Sequence, residues 1–254
     1  MGAGHVHRLY RHGHTPVHRL PAHVKLLALV GFVFVVVATP REAFWAFGVY
    51  AVLLGAVAVI AAVPARFILR RMVVEIPFVV FALLLPFLAV GPQVEVLGLS
   101  LSEDGLLAGW NILAKGTLGV VASILLAATT DARALLMAMQ RLRVPPVLVE
   151  ITSFMVRYAD VIADEMRRMK IARESRGFEP TRRRALQVVA SSAGALFIRS
   201  YERGERVHLA MLSRGYNGRL PSLEVQQASA SAWVAAAALP ATALVVSVLA
   251  WMSL

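Results

Sequence analysis

Up to about residue 128 the chain alternates between long apolar runs and short polar ones, and then its character changes. A helix that crosses a bilayer needs roughly 20 mostly apolar residues. Ala43–Val63, Met72–Val90, Leu106–Ala128 and Ala230–Trp251 each meet that length. Val24–Ala38 offers only 15 residues and needs its flanks to complete a span. Pro77 and Pro86 are expected to kink the third of these five segments, because proline removes a helical hydrogen bond and crowds the preceding turn. The pattern predicts an all-α, polytopic membrane protein with about five transmembrane helices.

The stretch 129–226 is too long and too regularly patterned to be a loop. Ala132, Leu135, Leu136, Met139 and Leu142 recur at helical spacing, giving a short amphipathic helix that Pro145 ends. A second helix is predicted from Pro146 to about Ser175 with Gly177 as its stop, and a third from about Thr181 to Ser213 with Gly215 as its stop. No strand pattern appears in this stretch. Three regions follow: residues 1–128 with four spans, a helical region 129–226, and a last span in 227–254.

Charge fixes an expected orientation. Lys and Arg number four in residues 1–25, one in 39–42, three in 64–71, none in 91–105 and seventeen in 129–226. Cytoplasmic segments carry the excess of Lys and Arg, so the N-terminus and residues 129–226 are expected on the cytoplasmic side of a cell membrane. Trp45, Trp110 and Trp251 all fall at the outer ends this places. The formal charge of +11 thus reads as topology, and 58% hydrophobic residues exceed the roughly 45–50% of soluble domains. The ten acids interspersed in 129–226 argue against a nucleic-acid anchor. With no cysteine, disulfides, thiolate zinc and iron–sulfur clusters are excluded. The first 25 residues contain no long apolar run and do not read as a signal peptide.

Both long helices end alike. Ala172-Arg173-Glu174-Ser175-Arg176-Gly177-Phe178 and Ala210-Met211-Leu212-Ser213-Arg214-Gly215-Tyr216 share Ala-x-x-Ser-Arg-Gly-aromatic, 38 residues apart. One reading is two ordinary helix caps, each with a cation favourably placed against the helix dipole. The other is that Arg176 and Arg214 present two guanidinium forks to a docking surface. Bidentate bonds to carboxylates suit them to acidic sites on two related partner subunits.

These segments resemble the Arg-centred signatures of the T component of energy-coupling factor transporters. Phe197-Ile198-Arg199-Ser200-Tyr201-Glu202-Arg203-Gly204-Glu205-Arg206, leading into the second signature, is similar to the cobalt-transport branch, CbiQ. The likeness is densest over residues 145–220. It implies that Ser175, Arg176, Gly177, Ser213, Arg214 and Gly215 form the contacts to two P-loop ATPase subunits, through two helices that cross on the cytoplasmic side. It also implies a separate substrate-binding membrane subunit, a CbiM-like S component, for uptake of cobalt, with nickel or a vitamin as alternatives. Many family members carry Ala where this chain has Ser175 and Ser213; both are small.

His5, His7, His12, His14, His18 and His23 crowd the N-terminus. Imidazoles bind cobalt, nickel and zinc, but the spacing fits no defined site, so no metal ligands are assigned and no cofactor is called for. Lys115 lies about 13 Å into the fourth span with Asn111 one turn earlier on the same face. An intramembrane charge is either functional or faces a neighbouring helix. Gly119, Ser123 and Ala127 form a stripe that permits close packing, within the chain or against a partner. Glu75 reads as sitting near the inner end of its span, within reach of water. His208 and Glu205 read as a solvated helix face. None of Lys25, Lys115 and Lys170 is followed by Ser or Thr, so a P-loop is absent and the chain is expected to be non-catalytic. The rival class is a membrane enzyme acting on lipid-linked phosphates, for which Asp160, Asp164 and Glu165 are the nearest carboxylates.

Overall fold

A computed structural model of the chain describes residues 10–89, 92–96, 99–177, 182–218 and 228–253. His5 and His7 lie outside the described residues, as does Phe178 of the first signature. The chain forms two compact units, one from Met139–Val225 and one from Leu9–Ala138 with Gln226–Leu254.

The larger unit opens with α1 (Pro16–Arg19), capped by the Thr15 hydroxyl, and continues into α2 (Ala22–Ala38) and α3 (Phe44–Ile60). Next, α4 (Ala65–Arg71) passes through a 3₁₀ turn, Met72–Glu75, into α5 (Ile76–Leu88). A hairpin of β1 (Gln93–Val96) and β2 (Leu99–Ser102) leads into α6 (Glu103–Thr129), followed by α7 (Ala132–Arg141). The unit closes with α10 (Ala230–Met252). The protein is an all-α membrane protein with this one small antiparallel ladder among the described residues. Three helical stretches are long and apolar enough to cross a membrane: Ala65–Leu88, Glu103–Thr129 and Ala230–Met252. The apolar helices α2 and α3 have 17 residues each, about 25 Å at 1.5 Å per residue.

The third stretch begins seven residues before the expected Met72, because Arg66, Arg70 and Arg71 stand within its first two turns. Long basic side chains can lie along an apolar helix and carry their charge back to its end. Arg71 does so over the Phe67 ring, 3.4 Å from its centroid. The tighter 3₁₀ turn falls just ahead of Pro77, whose missing N–H and bulky ring disfavour a continuous α-helix there. This earlier start corrects the reading of Glu75. It lies ten residues into the stretch, about 15 Å, is only 3% exposed, and accepts a hydrogen bond from the Thr117 hydroxyl of α6.

Phe32, Phe47, Tyr50, Leu54, Leu118 and Leu125 anchor the core between α2, α3, α6 and α10. The close approach of α5 to α6 rests on Gly105 and Gly109. A Cβ at Gly105 would fall 2.7 Å from the Leu85 carbonyl oxygen, and one at Gly109 2.7 Å from that of Ala82. The expected stripe does not do this. A Cβ at Gly119 would meet nothing within 4 Å, and Ser123 is exposed.

The last four carbonyls of a helix have no partner within it, which is costly in an apolar setting. At the end of α2 all four are satisfied. Thr39 Oγ1 lies 2.9 Å from the Val35 oxygen and Thr39 N–H donates to Val36 at 3.3 Å. Lys115 Nζ donates to Val37 at 2.8 Å, and Trp251 Nε1 to Ala38 at 3.2 Å. At the end of α6, the Arg11 backbone N–H donates to Ala128 and Lys25 Nζ to Thr129, at 2.9 and 2.8 Å. Each of the antiparallel helices α2 and α6 thus lends a lysine to the other's C-terminus.

Candidate functional site

The smaller unit is built on α8 (Pro146–Glu174) and α9 (Arg182–Leu212). Both match the helices expected from the sequence. Proline opens α8, where its missing N–H costs nothing, and a left-handed glycine follows each helix.

The two helices lie antiparallel. Near the end of α8, Arg173 donates to Ser192 Oγ at 2.7 Å. Further back, Glu165 accepts from Arg199 and Arg203, both at 3.1 Å. At the start of α8, Glu150 Oε2 accepts from the Tyr216 hydroxyl at 2.6 Å. The hydrogen bonds from Arg199 and then Arg203 hold the Glu165 carboxyl below its usual range. The bond to Glu150 holds the Tyr216 phenol above its usual value.

The two Ser-Arg-Gly ends share a left-handed glycine and its bond back to the helix. Gly215 takes φ +83°, its N–H donates to the Leu212 carbonyl, and Tyr216 N–H reaches back to Met211, both at 3.0 Å. This pair of bonds is a Schellman cap, with glycine in the left-handed position. Gly177 takes φ +70° and makes the matching bond to Glu174 at 3.0 Å. Ser175 Oγ and Ser213 Oγ each donate back to a carbonyl of their own helix, Ile171 and Ala210, at 2.9 Å. The serine hydroxyls are therefore taken up by their own helices, and Arg176 and Arg214 are exposed, with no ion pair among the described residues.

Because the helices are antiparallel, these ends point in opposite directions. Glu150 and Arg173 mark the two levels and are separated by about 35 Å at 1.5 Å per residue. The two signatures therefore lie at separate ends of the helix pair and do not share one surface. Beside the second, a cleft of about 350 Å³ runs between Phe154, Arg157 and Tyr158 of α8 and Val207, Met211 and Arg214. Phe154 and Tyr158 stack at its wall, ring centroids 6.3 Å apart.

The other singled-out residues lie elsewhere. In the larger unit, Lys115 is spent on the Val37 carbonyl, while Asn111 Oδ1 is buried and accepts no hydrogen bond among the described residues. His208 sets its ring edge-on to Tyr216 at 6.5 Å.

The family model described as CbiQ, a cobalt transport protein, matches residues 13–225, which includes both helix ends. The chain belongs to the CbiQ family. The cobalt transport protein CbiQ of Rhodobacter capsulatus is 28% identical over 169 residues, covering 66% of this chain and 68% of that protein. An uncharacterized protein of Methanocaldococcus jannaschii is 32% identical over 122 residues, 48% of this chain and 46% of the relative's length. A protein of Methanocorpusculum labreanum named as a putative fused cobalt transport protein CbiMQ is 29% identical over 107 residues. That match covers 42% of this CbiQ-family chain but 18% of the fused protein.

Sequence reading did not find the contacts that hold α8 to α9. Glu165 appeared only as a carboxylate of a rival enzyme reading, yet Arg199 and Arg203 hold it. The signal was the spacing of Arg199 and Arg203, one helical turn apart and facing one way. Gly105-Leu106-Leu107-Ala108-Gly109 was equally visible as two glycines four residues apart, a spacing that lets membrane helices approach.

Proposed function

We propose that this chain is the transmembrane coupling subunit of an energy-coupling-factor cobalt transporter. The observation that carries the reading is the pair of equivalent helix ends, each with an exposed arginine set by a left-handed glycine, facing opposite ways. Two like ends on one rigid pair suit two like partners. Each of two P-loop ATPase subunits would receive one end, Arg176 or Arg214, against a carboxylate. The apolar surface along α9, including Tyr201 and Leu209 at 66% and 59% exposure, supports helix-in-groove docking.

In this reading all five apolar helices span the cell membrane, with the N-terminus and residues 129–226 cytoplasmic. The larger unit grips a CbiM-like substrate-binding subunit, a pairing supported by the name of the fused relative. ATP hydrolysis in the partners moves the two ends, and the packed helices transmit that motion as rigid elements. Cobalt is the expected substrate, on the strength of the family.

The test is co-expression with the ATPases and a CbiM-like subunit, followed by affinity recovery. Arg176→Glu and Arg214→Glu should each lower ATPase recovery while membrane insertion stays normal. Unchanged recovery in both variants would overturn the docking role. Uptake of labelled cobalt against nickel by the assembled complex checks the substrate.

A further inference from the structure

Within the larger unit, α1, α2, α3, α6 and α10 enclose a cavity of about 350 Å³. Its walls include Val17, Leu29, Phe32, Leu54, Leu125 and Leu239, and its volume falls in the roughly 300–1,000 Å³ range of ligand sites. Lys25 also lines it, although only 8% of that residue is exposed. Burying an ammonium is costly unless it is paired. Here one hydrogen bond runs to the Thr129 carbonyl, and no carboxylate pairs with Lys25 among the described residues. The C-terminus of α6 supplies about half an elementary charge, which leaves the ammonium half compensated and two of its three N–H groups free. The next residue, Thr130, is 4% exposed and its hydroxyl has no hydrogen-bond partner among the described residues. Burial, against the pull of the Arg11 carbonyl, and then the charges of Lys25 and His14 keep the nearby His18 below its usual value. The protonated imidazole is thus disfavoured at His18, and Lys25 is the cation that lines the cavity.

An apolar cavity beside an under-compensated cation asks for a ligand with a long hydrocarbon part and an anionic head. A metal cation would meet like charge at Lys25, and a free anion would leave the apolar walls empty. Basic pockets between membrane helices take anionic lipid headgroups. We propose that this cavity holds an acyl chain of an anionic phospholipid whose phosphate is bound by Lys25. The inference rests on the membrane placement of this unit and is independent of the coupling role.

The test uses the full chain in nanodiscs of phosphatidylglycerol or phosphatidylcholine, with retained lipid read by native mass spectrometry after transfer to mild detergent. Wild type should retain phosphatidylglycerol in preference. Lys25→Met should lower that preference about tenfold, the loss of one charge-assisted hydrogen bond, and Lys25→Arg should keep it. Ala236→Leu, which fills the cavity from α10 and leaves Lys25 in place, should lower retention of both lipids. Equal retention of the two lipids by wild type, or wild-type retention in both Lys25→Met and Ala236→Leu, would overturn the proposal. ATPase recovery, measured on the same preparations, reports separately on the coupling role.

Discussion

The Tyr216 hydroxyl donates to Glu150 Oε2 at 2.6 Å, tying the residue after the second Ser-Arg-Gly to the first turns of α8. The aromatic of the signature therefore works inward, as a strut, while the arginine two residues before it points out. Because the bond to Glu150 raises the Tyr216 phenol, the contact is complete below the ordinary tyrosine value near 10 and is lost as pH rises through the raised one. Tyr216→Phe is expected to speed amide exchange over residues 210–217 at neutral pH. In wild type the same change should appear only in strong alkali.

Gly215 holds φ +83°, where a Cβ costs about 1–2 kcal/mol. Gly215→Ala should unwind the last turn of α9 and misdirect Arg214, so ATPase recovery falls although the arginine is intact. Amide exchange at 211–216 should rise about tenfold, as follows from a loss near 1.4 kcal/mol. Full recovery together with faster exchange would show that the cap shapes the helix end without directing its arginine.

Glu165 bridges Arg199 and Arg203, and those two bonds lower its pKa. A carboxyl lowered on folding adds stability above its ordinary value of about 4.3, and that stability is lost as pH falls through the lower folded value. Pairing of α8 with α9 should thus hold at neutral pH and loosen only in acid. Glu165→Gln should show the loosened state at all pH values, read as exchange over 160–170 and 196–206.

Lys115→Met keeps the length of the side chain but leaves the Val37 carbonyl at the end of α2 without its donor. An acceptor left unpaired in an apolar setting costs about 1–3 kcal/mol, so the thermal midpoint of the detergent-solubilised protein should fall by several degrees. A variant that unfolds as wild type but fails to support uptake would instead give Lys115 a role in transport.

Gly109→Ala places a methyl 2.7 Å from the Ala82 carbonyl oxygen, so α5 must move off α6. Overpacking of this kind costs about 1–3 kcal/mol. Gly119→Ala, which meets nothing within 4 Å, should not lower the thermal midpoint and should raise it slightly, because alanine favours a helix more than glycine does, and it serves as the control.

Helix positions were legible because they depend on local chemistry: apolar run length, proline at the start of α8, and glycine after Ser-Arg. Pairings were not, since they depend on which residues meet across the fold. The small-residue stripe at Gly119 and the pair at Gly105 and Gly109 look equally able to pack, and only the approach of Ala82 decides between them. Glu75 was misplaced because the basic residues at 66, 70 and 71 were counted as a loop, although arginines can lie along the first turns of a span. The hairpin at 93–102 had a readable alternation in Val94, Val96, Leu99 and Leu101, but a search for apolar runs passes over so short a signal.

Lys25 on α2 and Lys115 on α6 fasten α2 at both of its ends to α6, like a beam bolted at each end. Sliding one past the other by a single turn would carry both ammonium groups off their carbonyls together, so the pair resists shear twice over. The 3₁₀ turn at Met72–Glu75 is held to α6 as well, since Glu75 accepts the Thr117 hydroxyl, so α2 and α5 are both tied to α6 and a shift of that helix carries the two together.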